Sequence, residues 1–328
     1  MVKFLIELDK VKLKENLYLC TIFEIRVKHM GKRKVCILLN KVFAIALCLF
    51  LVIATGCNSN DPDDQTSSSS GSTSLSDTAK VYVVYADNAV SITTNDKAKD
   101  YIRYTQNGAH LTITQLSTAD STTSGEIYYY LSGSSNNGSL YLSGSYKATV
   151  QLNGLELTNP DSAVINIQNG KRVKMSIKNE TVNTLADGSG GAWKGCLMCK
   201  GHMEIKGRGT LNVQGQTAHA IWTKEYLQIK NCTVNVTGAV KDAINCNQYF
   251  LMESGALSLS GYQGDGIQVS LKTDSNGIVE TDAENTGNLT LDGGTVMINT
   301  TASSGKALKY EGTYSKTNCV LTIDGEVK

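Results

Sequence analysis

The chain has 328 residues, a formal charge of +1 and 41% hydrophobic residues, enough apolar material for a sizeable core. Of its 31 Lys and Arg and 30 Asp and Glu, residues 1–57 hold 10 and 4, which leaves 21 against 26 and a formal charge of −5 for the rest. This acidic remainder lacks the basic stripe of a nucleic-acid binder, so we expect no nucleic-acid partner.

The first predicted element is a lipoprotein signal peptide over residues 30–57. A basic start, Lys32-Arg33-Lys34, precedes an apolar run that stops at Gly56-Cys57. A cysteine at this position is typical of the bacterial lipobox, whereas the run is short for the alternative, a transmembrane helix. We therefore predict that Cys57 is lipidated. The protein would then be an outer membrane lipoprotein, at the cell surface or on the periplasmic face, that meets the membrane through this anchor alone.

The segments on either side of the signal peptide are assigned by composition. Residues 1–29 fit nothing downstream, and we interpret them as a misassigned or untranslated extension. Residues 58–78 are rich in Ser, Thr and Asp and form a predicted flexible tether. Residues 79–328 remain for one structured domain, whose last repeat is interrupted at Lys328 and suggests truncation.

A fixed repeat in the middle of the chain predicts the fold. The tripeptides that begin at His219, Asp242 and Asp265 recur every 23 residues. The apolar residues between them alternate with polar ones, so each repeat is one coil of strands. The prediction is an all-β, right-handed single-stranded parallel β-helix. Residues 80–148 are interpreted as irregular first coils that cap its open edge.

Two segments depart from the repeat. A glycine-rich excursion covers residues 189–193, and a mobile, acidic insertion runs from Lys272 to Gly287.

The spacing of the repeat places Cys199 beside Thr223 and Cys246 in an inward column, which favours buried thiols over a redox or zinc site. The cysteines after the signal peptide are Cys196, Cys199, Cys232, Cys246 and Cys319.

A column of outward side chains is the candidate sugar-binding surface. Val173, Met203, Leu227 and Phe250 are predicted to point inward, so the residue before each points outward. Aromatic rings along the axis could stack on sugar rings, while charged groups meet hydroxyls or carboxylates. The alternative is a ladder that only stabilises the coil. The candidate carbohydrate-binding residues are Arg172, His202, Tyr226 and Tyr249, with Trp222 nearby.

The repeated aspartates are the candidate metal ligands. Stacked coils would hold Asp242 and Asp265 about 5–7 Å apart, where like charges repel by about 1–3 kcal/mol. Calcium, which takes six or more oxygens, would relieve this repulsion. Lys306 or a protonated His219 could do so without a metal, and aspartate before a small residue is also a common turn former.

Four segments resemble a bacterial cell-surface carbohydrate-binding family. They are residues 153–159, 183–188, 207–213 and 264–267, and the resemblance extends over roughly 125–312. It implies a calcium-associated parallel β-helix, similar in fold to pectate lyases. It also implies binding of cellulose-like or acidic plant polysaccharides without established catalysis.

An enzyme and an adhesin are the rival functions. A calcium-dependent lyase needs clustered carboxylates and a base on one face, and Arg172 lies two coils from the Asp242 turn. A glycosidase needs two carboxylates across a groove. We therefore predict a non-catalytic surface protein, with a lyase-like enzyme or a surface protein without a sugar ligand as alternatives.

Overall fold

The computed structural model describes residues 78–116, 126–301 and 305–328. They form an all-β parallel solenoid of about 8 turns with a repeat of about 25 residues, which confirms the predicted parallel β-helix. Its right-handed sense stays a prediction from the general preference of parallel crossovers. The predicted extension, the signal peptide with Cys57, and the tether up to residue 77 lie outside the described residues.

The strands are short, as expected where a chain turns three times in each coil. In chain order they are β1 Ala79–Ala86, β2 Ala89–Thr94, β3 Ile102–Asn107, β4 Ala109–Gln115, β5 Glu126–Ser135, β6 Gly138–Ser143, β7 Lys147–Asn159, β8 Ile165–Ile167, β9 Val173–Ile177, β10 Val182–Asp187, β11 Gly195–Cys199, β12 Met203–Gly207 and β13 Thr210–Gly215. They continue as β14 His219–Thr223, β15 Leu227–Lys230, β16 Cys232–Ala239, β17 Ile244–Asn247, β18 Tyr249–Met252, β19 Gly255–Leu259, β20 Ile267–Ser270, β21 Asn288–Leu291, β22 Gly294–Ile298, β23 Leu308–Tyr310, β24 Tyr314–Lys316, β25 Cys319–Ile323 and β26 Glu326–Val327. In the described segments one helix, α1, covers Asp96–Lys99.

Parallel pairing between coils forms three faces. The first face contains β1, β5, the start of β7, β9, β12, β15, β18, β21 and β24. The second contains the end of β7, β10, β13, β16, β19, β22 and β25. The third contains β4, β6, β8, β11, β14, β17, β20 and β23.

The core is made of aligned columns of apolar side chains. Val173, Met203, Leu227 and Phe250 are paired in register and fully buried, as the alternation predicts. Met203 to Leu227 takes 24 residues and Leu227 to Phe250 takes 23. The mean repeat is longer than the predicted 23 because the turn that ends at Met203 and the turn that ends at Leu289 contain the excursion and the insertion.

Antiparallel strands cover the edges of the coil. At the N-terminal end β2 pairs with β1 and β3 pairs with β4, so both first strands have partners. These pairings are what capping coils require, since an unpaired strand edge invites aggregation. At the other end β26 pairs with β25. Within the described segments, none of the helices has the length and hydropathy needed to cross a membrane.

The five cysteines after the signal peptide are buried and unpaired, as predicted. Cys199 lies beside Thr223, and Thr223 beside Cys246, in the third face. Burial raises the pKa of Cys199 to about 12 and that of Cys232 to about 11. Because the reactive form of cysteine is the thiolate, these thiols act as small core side chains.

Candidate functional site

The predicted outward column exists on the first face as a stack of rings. His202 and Tyr226 are stacked with ring centroids 4.2 Å apart, and Tyr226 and Tyr249 with centroids 4.6 Å apart. Arg172 continues the column and lies 3.5 Å from Glu126. We call His202, Tyr226 and Tyr249 the aromatic stack.

The aromatic stack covers its own ring faces. Tyr226 lies between its two neighbours and is only 6% exposed. Its hydroxyl lies 3.5 Å from Glu204, and the Tyr249 hydroxyl accepts a hydrogen bond of 2.7 Å from Gln228. Burial raises the pKa of both phenols, and that of Tyr249 reaches about 12. Since sugar stacking needs a free ring face, the stack has the geometry of the stabilising alternative.

Ion pairs fasten the 272–287 insertion beside the aromatic stack. The His202 Nε2 atom lies 3.0 Å from Glu225 and 3.2 Å from Glu284, which belongs to the insertion. Lys272 Nζ lies 2.8 Å from Glu225 and 3.0 Å from Glu280. The insertion was predicted to be mobile, but these contacts dock it against the coil. Glu280 and Glu284 contact Lys272 and His202, and Asp274 and Asp282 accept hydrogen bonds from backbone N–H groups, so the four carboxylates do not form a free catalytic set.

Trp222 does not join the aromatic stack but faces outward from the third face. There it lines a cavity of about 450 Å³ together with Trp193 from the glycine-rich excursion. The Lys194 Nζ atom lies 4.8 Å from the centre of the Trp222 ring, a cation–π contact. Trp222 is 6% exposed, whereas Trp193 is 40% exposed. The other lining residues are Gly191, Ala192, Thr217, Ala218, His219, Lys241, Asn245 and Asn247.

A second cavity, of about 250 Å³, adjoins the first at Trp193. Tyr141 lies in its wall, with its ring centre 6.4 Å from that of Trp193. The other lining residues are His110, Ser139, Leu140, Asn159, Asp161, Ser162, Ala163 and Asn166. We call the two cavities together the third-face groove. It follows the coil axis from β6 to β17.

Close backbone packing holds Trp193 over the groove. A Cβ atom on Gly188 would lie 1.7 Å from the Pro160 carbonyl oxygen, and one on Gly191 would lie 2.8 Å from the Ser162 Cα atom. The Gly188 N–H donates to the Asn159 carbonyl at 2.8 Å. The excursion is glycine-rich because it lies directly on the turn of the preceding coil.

We expect Gly188→Ala to displace the excursion and lower stability by about 2 kcal/mol or more, because its Cβ atom overlaps backbone. Gly190→Ala is the matched control, since its Cβ atom would make an ordinary 3.4 Å contact. Thermal melts of both variants measure the difference. Equal melting temperatures would show that the excursion is not held by this contact.

The repeated aspartates form a ladder of hydrogen bonds between coils. The Asp265 N–H donates to Asp242 Oδ1 and the Lys306 N–H to Asp265 Oδ1, both at 2.8 Å. The His219 Nδ1 atom lies 3.2 Å from both the Asp242 backbone nitrogen and its Oδ2 atom. Asp242 Oδ2 also accepts from the Asn245 amide at 2.9 Å.

This ladder does not fit a calcium ion between Asp242 and Asp265. Each carboxylate oxygen already has a protein donor, and the Lys309 ammonium lies 3.0 Å from Asp265 Oδ2. Among the described residues, no three or more His, Cys, Asp or Glu side chains form a group that could hold a metal ion. Lys309, rather than the predicted Lys306 side chain, offsets the charge of Asp265. Calcium binding itself stays a prediction, which melts with calcium and with chelator test.

The ladder predicts a loss of stability in acid. Burial raises the pKa of Asp242, but hydrogen bonds from His219, Asp265 and Asn245 outweigh it and lower the pKa below its ordinary value. Asp242 therefore takes up its proton more readily in the unfolded chain. The Asp242 carboxylate contributes its full stabilisation of the folded state above its unfolded-state pKa of about 4. This stabilisation is lost as the pH falls through the pKa of Asp242 in the folded protein.

We expect Asp242→Asn to be less stable at neutral pH by about 1–3 kcal/mol, because the amide keeps one acceptor oxygen and its NH2 group faces the Asn245 donor, which loses its acceptor. Its stability should also fall less than that of the wild type below pH about 4. Urea unfolding at a series of pH values measures both effects. The same pH slope in both proteins would contradict the assignment.

The comparisons with known proteins agree with this geometry. Residues 107–327, about two thirds of the chain, match the family described as carbohydrate-binding domain-containing protein. The chain belongs to this family. The polysaccharide lyase-like protein from C. thermocellum, solved as a gadolinium derivative, is similar in structure with a TM-score of 0.53 and 19% sequence identity. That match covers 75% of this chain and 95% of the other and shows the fold alone. No curated protein matches the sequence.

This member of the family therefore has two aromatic surfaces, the aromatic stack and the third-face groove. The sequence pattern predicts the first, and of the second it identifies only Trp222. The repeat pattern does not point to Trp193, because the excursion that carries it is a break in the repeat. A tryptophan two residues after a pair of glycines, in one of the two segments that lengthen a coil, is the signal that points to this site. Tyr141 could have been found from the register. It pairs with Asn166, which lies two coils before Trp222 in the same column, so Tyr141 lies three coils before Trp222.

Proposed function

We propose that this protein binds an extended acidic polysaccharide along the third-face groove and does not cleave it. The observation that supports this most directly is Trp193, a tryptophan 40% exposed where the two cavities meet. An indole carried on closely packed backbone offers an apolar face for a sugar ring at little entropic cost. The Asn245 and Asn247 amides beside it can meet hydroxyl groups.

The charges of the first cavity favour an acidic sugar. Lys194, Lys241 and His219 line it, and no aspartate or glutamate is among its described lining residues. The mature portion carries a net negative charge, so these lysines form a local exception. An ammonium group beside an aromatic face suits a uronate, whose ring stacks while its carboxylate pairs.

The length of the groove suits a chain of several sugars. From β6 to β17 the third face advances four coils, about 19 Å at roughly 4.8 Å per coil. One coil is close to the length of one sugar in an extended chain, so successive coils can meet successive sugars. We expect affinity to rise with chain length up to about four sugars, because each contact alone is weak.

Binding without cleavage follows from the groups in the groove. Glycoside hydrolysis needs two carboxylates facing each other across the bond, and Asp161 is the one carboxylate among the described residues that line the groove. An absorbance assay for unsaturated products tests the alternative of a lyase.

Affinity electrophoresis against a panel of polysaccharides tests the proposed function. We expect retention by polyuronates that weakens with added salt, and little retention by neutral glucans of the same length. Equal retention by both classes would contradict the acidic preference, and no retention by any glycan would contradict binding at this groove.

We also propose that acylated Cys57 holds the protein at the outer envelope, with the groove presented at the cell surface. The apolar run that ends in Gly56-Cys57 supports this, and Asn58 gives no reason for retention at the inner membrane. We expect Cys57→Ser to remain unprocessed or to leave the membrane fraction. Detergent partitioning measures the change, and normal processing with unchanged partitioning would contradict the anchor.

A further inference from the structure

The two cavities of the groove have opposite charge character. The first is lined by Lys194 and Lys241, whereas the second has Asp161 at its rim and no lysine or arginine among its described lining residues. A carboxylate would be attracted to the first cavity and repelled from the second. Neighbouring sugars of one chain therefore meet different environments.

A buried amide donor without a partner lines the second cavity. Asn166 is 4% exposed, and its Oδ1 atom accepts a hydrogen bond of 2.6 Å from the Gln168 amide. Its Nδ2 atom has no hydrogen-bond partner among the described residues. Buried polar groups in native proteins are nearly always paired, so this donor points to an acceptor oxygen supplied by a ligand.

The walls around Asn166 combine apolar and weakly polar groups. Ala163 is apolar and Tyr141 is aromatic, whereas the Leu140 side chain packs in the core beneath them. On the other side the His110 Nδ1 atom and the Ser139 hydroxyl are paired at 2.9 Å. A carbonyl oxygen next to a methyl group matches this combination, since the amide can donate to the oxygen while the walls cover the methyl group.

We propose that the second cavity holds a neutral sugar that carries an acetamido group, next to the uronate in the first cavity. This inference rests on the proposed function and names its ligand class more closely. The ligand is a polysaccharide in which uronates and acetylated amino sugars share one chain. β8, which carries Asn166, pairs directly with β11, which Lys194 precedes, so one coil of about 4.8 Å separates these strands and the two sugars are adjacent along the chain.

Three hexasaccharides of defined sequence test this inference by calorimetry with the full chain. The first alternates uronate with an N-acetylhexosamine, the second alternates uronate with an unsubstituted neutral hexose, and the third is a homo-uronide. We expect the wild type to bind the first about tenfold more tightly than the second. Equal affinity for these two would overturn the inference without needing any variant.

Asn166→Leu tests the assigned donor, because leucine keeps the volume and removes the amide. It should erase the preference for the acetylated hexasaccharide, so that the first and second hexasaccharides bind with equal affinity. Lys241→Gln is the contrasting variant, since it should weaken both ligands by the same factor. A preference that survives Asn166→Leu would overturn the assignment. If the homo-uronide binds but the first hexasaccharide is not preferred over the second, the proposed function stands and this inference fails. If none of the three hexasaccharides binds, both fail.

Discussion

Trp193→Ala should reduce affinity for polyuronate at least tenfold, a loss of about 1.4 kcal/mol or more. Trp193 lines both cavities, so removing its ring takes away the stacking surface that joins them. The side chain is 40% exposed on an excursion outside the core, and the melting temperature should therefore change by less than about 2 °C. Affinity electrophoresis and a thermal melt of the same sample measure both effects.

Tyr104→Ala is the matched control for Trp193→Ala. Tyr104 is also an exposed aromatic residue, but it lies on β3 and lines neither cavity. Its removal should leave retention unchanged. Full retention by Trp193→Ala, or an equal loss in both variants, would contradict binding at the groove.

Tyr226→Ala should have the opposite effect, lowering stability by about 3 kcal/mol and changing affinity little. Tyr226 is the middle ring of the aromatic stack, and its loss leaves a gap between His202 and Tyr249. For a domain of this size the melting temperature should fall by roughly 6–12 °C. Retention measured well below the melting temperature should match the wild type.

Tyr82→Ala is the control for stacking itself. Tyr82 stacks on Tyr130 with ring centres 5.0 Å apart, but it is 44% exposed. Its removal should cost less than about 1 kcal/mol, because little area is buried. If Tyr226→Ala instead abolished retention at unchanged stability, the aromatic stack would be the sugar-binding surface, as the outward column predicts.

The coil was predictable from sequence because its information is local. Alternation places Val173, Met203, Leu227 and Phe250 inward, and a repeat of 23 or 24 residues aligns the last three between coils. The longer mean repeat was not predictable in the same way. It depends on the excursion and the insertion, which are held by contacts with other coils rather than by their own pattern.

The sites were harder to predict because their chemistry depends on neighbours in space. The positions of His202, Tyr226 and Tyr249 follow from alternation, but their exposure does not. Coils lie about 4.8 Å apart, close to the stacking distance of aromatic rings, so outward rings in consecutive coils cover one another. The same spacing lets the backbone of one coil donate to Asp242 in the coil before it, which takes up the oxygens that calcium would need.

Tryptophan fluorescence tests the binding groove most directly. The chain has two tryptophans, Trp193 and Trp222, and both line the first cavity, so the emission reports on this site alone. Titration with an acidic hexasaccharide should change the emission to saturation and protect it from quenching by iodide, with the same dissociation constant as calorimetry. Binding detected by calorimetry without any change in emission or quenching would contradict the groove as the binding site.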